Sequence, residues 1–177
     1  MKRPIMNPIP RATPSRQAGA SLLEAIAFLG VAATIIVGAV ALLSTAFSSA
    51  RSNRSHEEVM AISTGVKRLF MSQAGSYGTA VLTEALANAK IFPSTLAVNG
   101  DTVLNAWNGA VVVTGVTSTF TISYAAVPQD VCVELVADSA QWIGVAVNGT
   151  TLTPPILVAA ASGACNLAAN TIVWTGR

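Results

Sequence analysis

The chain has 177 residues, of which 52% are hydrophobic and only 10% charged, so it holds one domain with an appended element and its apolar excess exceeds the needs of a small core. The formal net charge of +2 is uneven: four basic residues and no acidic one precede Ala20, whereas six basic and eight acidic residues follow from there onward. The later portion is thus slightly acidic with scattered Lys and Arg, which argues against direct nucleic-acid binding.

Met1 to Gly19 is polar and basic, and Pro4, Pro8, Pro10 and Pro14 discourage helix. An ordinary secretory signal places its apolar stretch before the cleavage site. Here the order is inverted: the polar piece comes first, ends in Gly19, and the long apolar run follows. Ala25 to Phe47 contains 23 residues without a charge. As helix it extends about 34 Å, enough to cross a hydrocarbon core of about 30 Å. Its basic flank (Lys2, Arg3, Arg11, Arg16) stays in the cytoplasm, and the remainder is exported.

Glu24 stands at the head of this run. A carboxylate there is either solvated at headgroup level, favoured by the helix dipole, or it has a functional partner. Cleavage after Gly19 creates such a partner in the free amine of Ala20, with Glu24 as the fifth residue of the new chain, one helical turn away. A carboxylate and an ammonium buried together are tolerable, whereas either alone costs about 3 to 5 kcal/mol.

The run Gly19-Ala20-Ser21-Leu22-Leu23-Glu24 followed by an apolar helix resembles the class III signal of type IV prepilins. The long leader and the non-phenylalanine first residue resemble the type IVb branch, particularly the PilS group of conjugative thin-pilus pilins. The resemblance implies that a prepilin peptidase cuts after Gly19 and methylates Ala20. It also implies that Glu24 pairs with the amine of a neighbouring subunit during assembly. It further implies a homopolymer of pilin subunits built by an inner-membrane machinery, ending as an extracellular fibre for conjugation, adhesion or aggregation. The expected organisation is a cleaved leader over 1–19, a membrane or fibre-core helix over 20–48, its amphipathic half over 49–74, and a globular head over 75–177.

The helix is expected to run from about Ser21 to Gln73. Val59, Ile62, Val66, Leu69 and Phe70 recur at helical spacing, with Arg51, Arg54, Glu57, Glu58, Lys67 and Arg68 on other faces. Gly30 and Gly38 in its apolar half either permit close helix contact or loosen the helix during fibre formation. Gly75-Ser76-Tyr77-Gly78 stops the helix. Leu82 to Ala89 is a short amphipathic piece, and Asn99-Gly100-Asp101 is a turn. Asn105-Ala106-Trp107-Asn108-Gly109 forms another and resembles the Asn-Pro-Trp-Gly-Gly stretch of PilS-type pilins. Ala110 to Thr114 and Phe120 to Ala126 read as a hairpin, Pro128-Gln129-Asp130 as a helix start, and Trp142 to Val147 and Thr171 to Trp174 as further strands. The fold class is therefore α+β, an antiparallel sheet laid against the long helix.

Cys132 and Cys165 both fall in the exported portion, where a pair is more often a disulfide than a metal site. Their bond would pin the C-terminal loop, matching the disulfide-bounded region of type IV pilins. The low charge of Thr151 to Asn170 is compatible with subunit contacts or with a plain surface loop. His56, the single histidine, reads as a helix-face residue beside Glu57 and Glu58. No nucleophile elbow, phosphate loop or metal-ligand spacing is present, so no enzyme activity, cofactor or metal is expected. Two other readings compete with a major fibre subunit: a minor pilin or type II secretion pseudopilin, and a signal-anchored membrane protein with an external binding domain.

Overall fold

A computed structural model describes residues 21–73 and 75–177. The leader, with Gly19 and Ala20, lies outside the described residues. The chain divides into two compact units, one ending at Leu42 and the other spanning Leu43–Arg177. One helix, α1 (Leu22–Phe70), begins in the first and continues through the second.

In the first unit the helix is apolar on all sides and uncovered. Within it an 18-residue window of mean hydropathy 2.7 has none of its residues buried. No tertiary contact is needed to explain the helix here, because a run of Leu, Ile, Val and Ala satisfies its own backbone hydrogen bonds.

In the second unit α1 lays one face on a sheet. Val59, Ile62 and Val66 are buried, with Ser52, Ser55, Glu58, Ser63 and Gly65 beside them. The expectation that Glu58 faces away from the head is wrong. It lies one turn before Ile62, so the same periodicity that buries Ile62 buries Glu58.

After α1 come the short helix α2 (Thr83–Asn88), a two-stranded hairpin of β1 (Ala97–Asn99) and β2 (Thr102–Leu104), and the long hairpin of β3 (Val111–Val116) and β4 (Thr119–Val127). Then follow α3 (Gln129–Ala137), β5 (Gly144–Val147), β6 (Thr150–Leu152), α4 (Val158–Ala164) and β7 (Asn170–Gly176). The main sheet is wholly antiparallel in the order β3-β4-β7-β5-β6. The C-terminal strand thus sits in the centre, and its alternating burial places Ile172 and Trp174 in the core with Phe120, Ile122 and Tyr124 of β4.

The free edge of β3 is covered by the segment after α1. Tyr77 N–H donates to the Thr117 carbonyl at 2.7 Å and Leu82 N–H to the Val113 carbonyl at 2.8 Å. This protects an edge that would otherwise offer unpaired backbone groups. Gly115 makes the approach possible, since a Cβ there would lie 2.0 Å from the Tyr77 carbonyl oxygen.

The hairpin, the helix after Pro128 and the last strand fall where the sequence places them. The strand expected from Trp142 begins at Gly144, because Trp142 turns into the core against Phe120 and Trp174. Helix α4 occupies part of the stretch read as loop. The Ala-rich run Val158-Ala159-Ala160-Ala161 was its signal, masked by Pro154 and Pro155 just upstream and by the lack of a polar face.

Candidate functional site

The sequence directs attention first to the beginning of α1. Ser21 caps it: the backbone N–H of Glu24 donates to Ser21 Oγ at 3.2 Å. A serine three residues before a glutamate is the pattern of a capping box, a second use of the motif that the reading of Glu24 alone overlooks. Glu24 is exposed in the first turn, where a negative charge is favoured by the dipole. Around it Leu22 is 82% and Leu23 79% exposed, so a solitary carboxylate is set in an uncovered apolar surface. A helix apolar on all sides is ordinarily buried, in a protein core or in lipid.

Within the second unit, α3 runs parallel to α1 and meets it in a repeated pairing. Ser48 Oγ donates to Asp130 Oδ2 at 2.8 Å, Ser52 Oγ donates to Glu134 Oε2 at 2.6 Å, and His56 Nδ1 lies 3.6 Å from Asp138 Oδ2. Each partner is 82 residues on, and each step is four residues on both helices, so one row of α1 faces one row of α3. His56 thus has a definite neighbour in Asp138, the residue that closes the C-terminal end of α3.

Deeper in, Tyr124 of β4 donates its hydroxyl to Glu58 Oε2 at 2.8 Å. Burial, then the charge of Glu58, then this hydrogen bond hold the Tyr124 phenol well above its usual range. Glu58 Oε1 and Ser55 Oγ are buried with no hydrogen-bond partner among the described residues. Cys132 on α3 and Cys165 at the end of α4 are joined by a disulfide, with Cα atoms 5.9 Å apart. It ties α4 to α3 and so anchors the C-terminal region to the core, where both sulfur-bearing residues are fully buried.

The turn Asn105–Gly109 is organised by one side chain. Asn105 Oδ1 accepts from the N–H groups of Trp107 at 3.0 Å and Gly109 at 2.9 Å, while its Nδ2 donates to the Ala125 carbonyl at 2.8 Å. Asn108 takes a positive φ of 60°. A Cβ at Gly109 would lie 1.9 Å from the Ala125 carbonyl oxygen, so only glycine fits. The turn holds Trp107 half-buried.

A long N-terminal helix packed on an antiparallel sheet and followed by a disulfide-bounded C-terminal region is the fold of the type IV pilins. The structure is similar to a type IVb pilin from Salmonella typhi, with a TM-score of 0.53 and 23% identity, over 67% of this chain and 96% of that one. It is also similar to TcpA, a type IV pilin from Vibrio cholerae El Tor biotype, with a TM-score of 0.56 and 8% identity, over 72% of this chain and 99% of that one. In sequence, residues 49–177 match the PilS N-terminal family, and the chain belongs to that family. No curated protein matches it in sequence.

Proposed function

We propose that this protein is a structural subunit of a type IVb pilus, made as a membrane-held precursor and polymerised into an extracellular filament. The observation that carries the reading is the uncovered apolar helix with Glu24 as its single charge before Arg51. In the inner membrane, lipid covers that helix over 20–48; in the fibre, the same segments of neighbouring subunits do. The part over 49–74 and the head over 75–177 stay outside.

Removal of the leader after Gly19 by a prepilin peptidase frees the amine of Ala20, which is then methylated. Glu24 of one subunit accepts the ammonium of the next, and this pairing selects one axial register, since any other leaves a buried charge uncompensated. The work is mechanical rather than catalytic.

Mass spectrometry of filaments sheared from the cell surface tests this directly. The expected species begins at Ala20, carries one methyl group on its amine and contains the intact disulfide. Filaments holding the chain with residues 1–19 still attached, or filaments that never contain it, would overturn the reading.

A further inference from the structure

At the end of the apolar run the second unit forms an open groove of about 390 Å³, lined by Phe47, Ser48, Arg51, Trp107, Pro128 and Asp130, among others. Phe47 closes the uncharged stretch that starts at Ala25, and Arg51, one turn on, is the first charge after Glu24. In the membrane-held precursor the hydrocarbon boundary therefore falls within this one turn of α1, and the groove opens at headgroup level. Phe47 is 57% exposed, and Arg51 is exposed with no ion-pair partner among the described residues. Trp107 is held half-buried by the Asn105 turn, unlike Trp142 and Trp174, which are in the core.

We propose that this groove binds the headgroup of a zwitterionic phospholipid with a primary ammonium, so that the base of the head docks on the membrane before extraction into the fibre. The inference rests on the membrane-held precursor proposed above. The chemistry matches term by term. The Arg51 guanidinium takes the phosphate. The Asp130 carboxylate, one of whose oxygens already accepts from Ser48, takes the ammonium. The Trp107 ring offers that same cation a π face and sits where amphipathic aromatics settle in bilayers. A purely anionic headgroup would satisfy Arg51 but face the charge of Asp130 unrelieved.

The test is amide hydrogen exchange on the full chain, held either in maltoside micelles or in phosphatidylcholine nanodiscs enriched in phosphatidylethanolamine or in phosphatidylglycerol. We expect the amides of 106–108 and 128–131 to exchange several-fold more slowly in the phosphatidylethanolamine discs than in either other setting. Arg51→Gln, an exposed substitution, should abolish that protection without changing the thermal midpoint of the head, and Asp130→Asn should remove the preference for phosphatidylethanolamine over phosphatidylglycerol. Equal exchange in all three settings, or protection indifferent to Arg51→Gln, would overturn the proposal while leaving the anchor intact. Protection seen in filaments but not in nanodiscs would assign the groove to a neighbouring subunit instead. Failure of the chain to insert into nanodiscs would overturn the anchor itself, and the docking with it.

Discussion

Tyr124 and Glu58 form a buried hydrogen-bonded pair, hydroxyl to carboxylate at 2.8 Å, that joins the centre of the sheet to the long helix. A carboxylate that is only 2% exposed is costly to desolvate, and among the described residues the Tyr124 phenol is the donor that compensates it. The pair therefore fixes which face of α1 meets the sheet.

Tyr124→Phe should destabilise the head by about 1 to 3 kcal/mol, because it leaves the carboxylate without its donor. Replacing both residues, as Tyr124→Phe with Glu58→Met, should cost less than the sum of the single changes. Denaturation midpoints of the four proteins measure this coupling, and strict additivity would refute it.

The same pair predicts an alkaline limb. The phenol is raised above its unfolded value of about 10, so the folded state keeps a proton that the unfolded chain gives up. The stabilisation is therefore complete below about pH 10 and is lost as pH climbs beyond it. Tyr124→Phe should flatten this decline; a stability profile that falls as steeply in the variant would refute the assignment.

Cys132→Ser opens the covalent loop between residues separated by 33 positions. In the chain-entropy model this costs about 3 to 4 kcal/mol. Thermal melting should then shift down by on the order of 10 °C for a domain of this size. A midpoint unchanged by the substitution would show that the bond contributes nothing.

Two glycines should respond with opposite signs. Gly109→Ala forces a Cβ into the Ala125 carbonyl and should cost roughly 3 kcal/mol or more. Gly163→Ala meets nothing within 4 Å and lies in α4. It should stabilise by about 0.5 to 1 kcal/mol through helix propensity. Paired thermal melts report both.

Glu24→Ala should leave membrane insertion intact, since it removes a charge from an apolar helix, yet reduce filament yield roughly tenfold or more by leaving the amine of the neighbouring subunit uncompensated. Counting filaments by electron microscopy at matched expression decides the point; full piliation would reject the pairing.

Much of the fold was legible because its signals are local. The hairpin of β3 and β4 shows in alternating Val, Thr and aromatic residues, and the start of α3 shows in Pro128 followed by Asp130. The strands β1, β2 and β6 have three residues each, too short for any periodicity to emerge. Glu58 was misplaced because charge on a helix ordinarily marks the solvent face, and its exception depends on Tyr124, 66 residues away. Of the site, Glu24 was visible as a charge out of place, whereas Trp107 and Arg51 give no sign in sequence that they line one groove.

Composition and short-range periodicity suffice to reveal the long apolar helix, the polar run ahead of it, the exceptional carboxylate and the break after Phe70. Tertiary structure alone decided that the last strand enters the middle of the sheet, that α3 runs beside α1 at a constant offset, and which polar side chains are buried. Those outcomes follow from burying apolar surface while pairing polar groups that lie far apart in the chain, as Tyr124 and Glu58 do, a condition that no local window of residues contains.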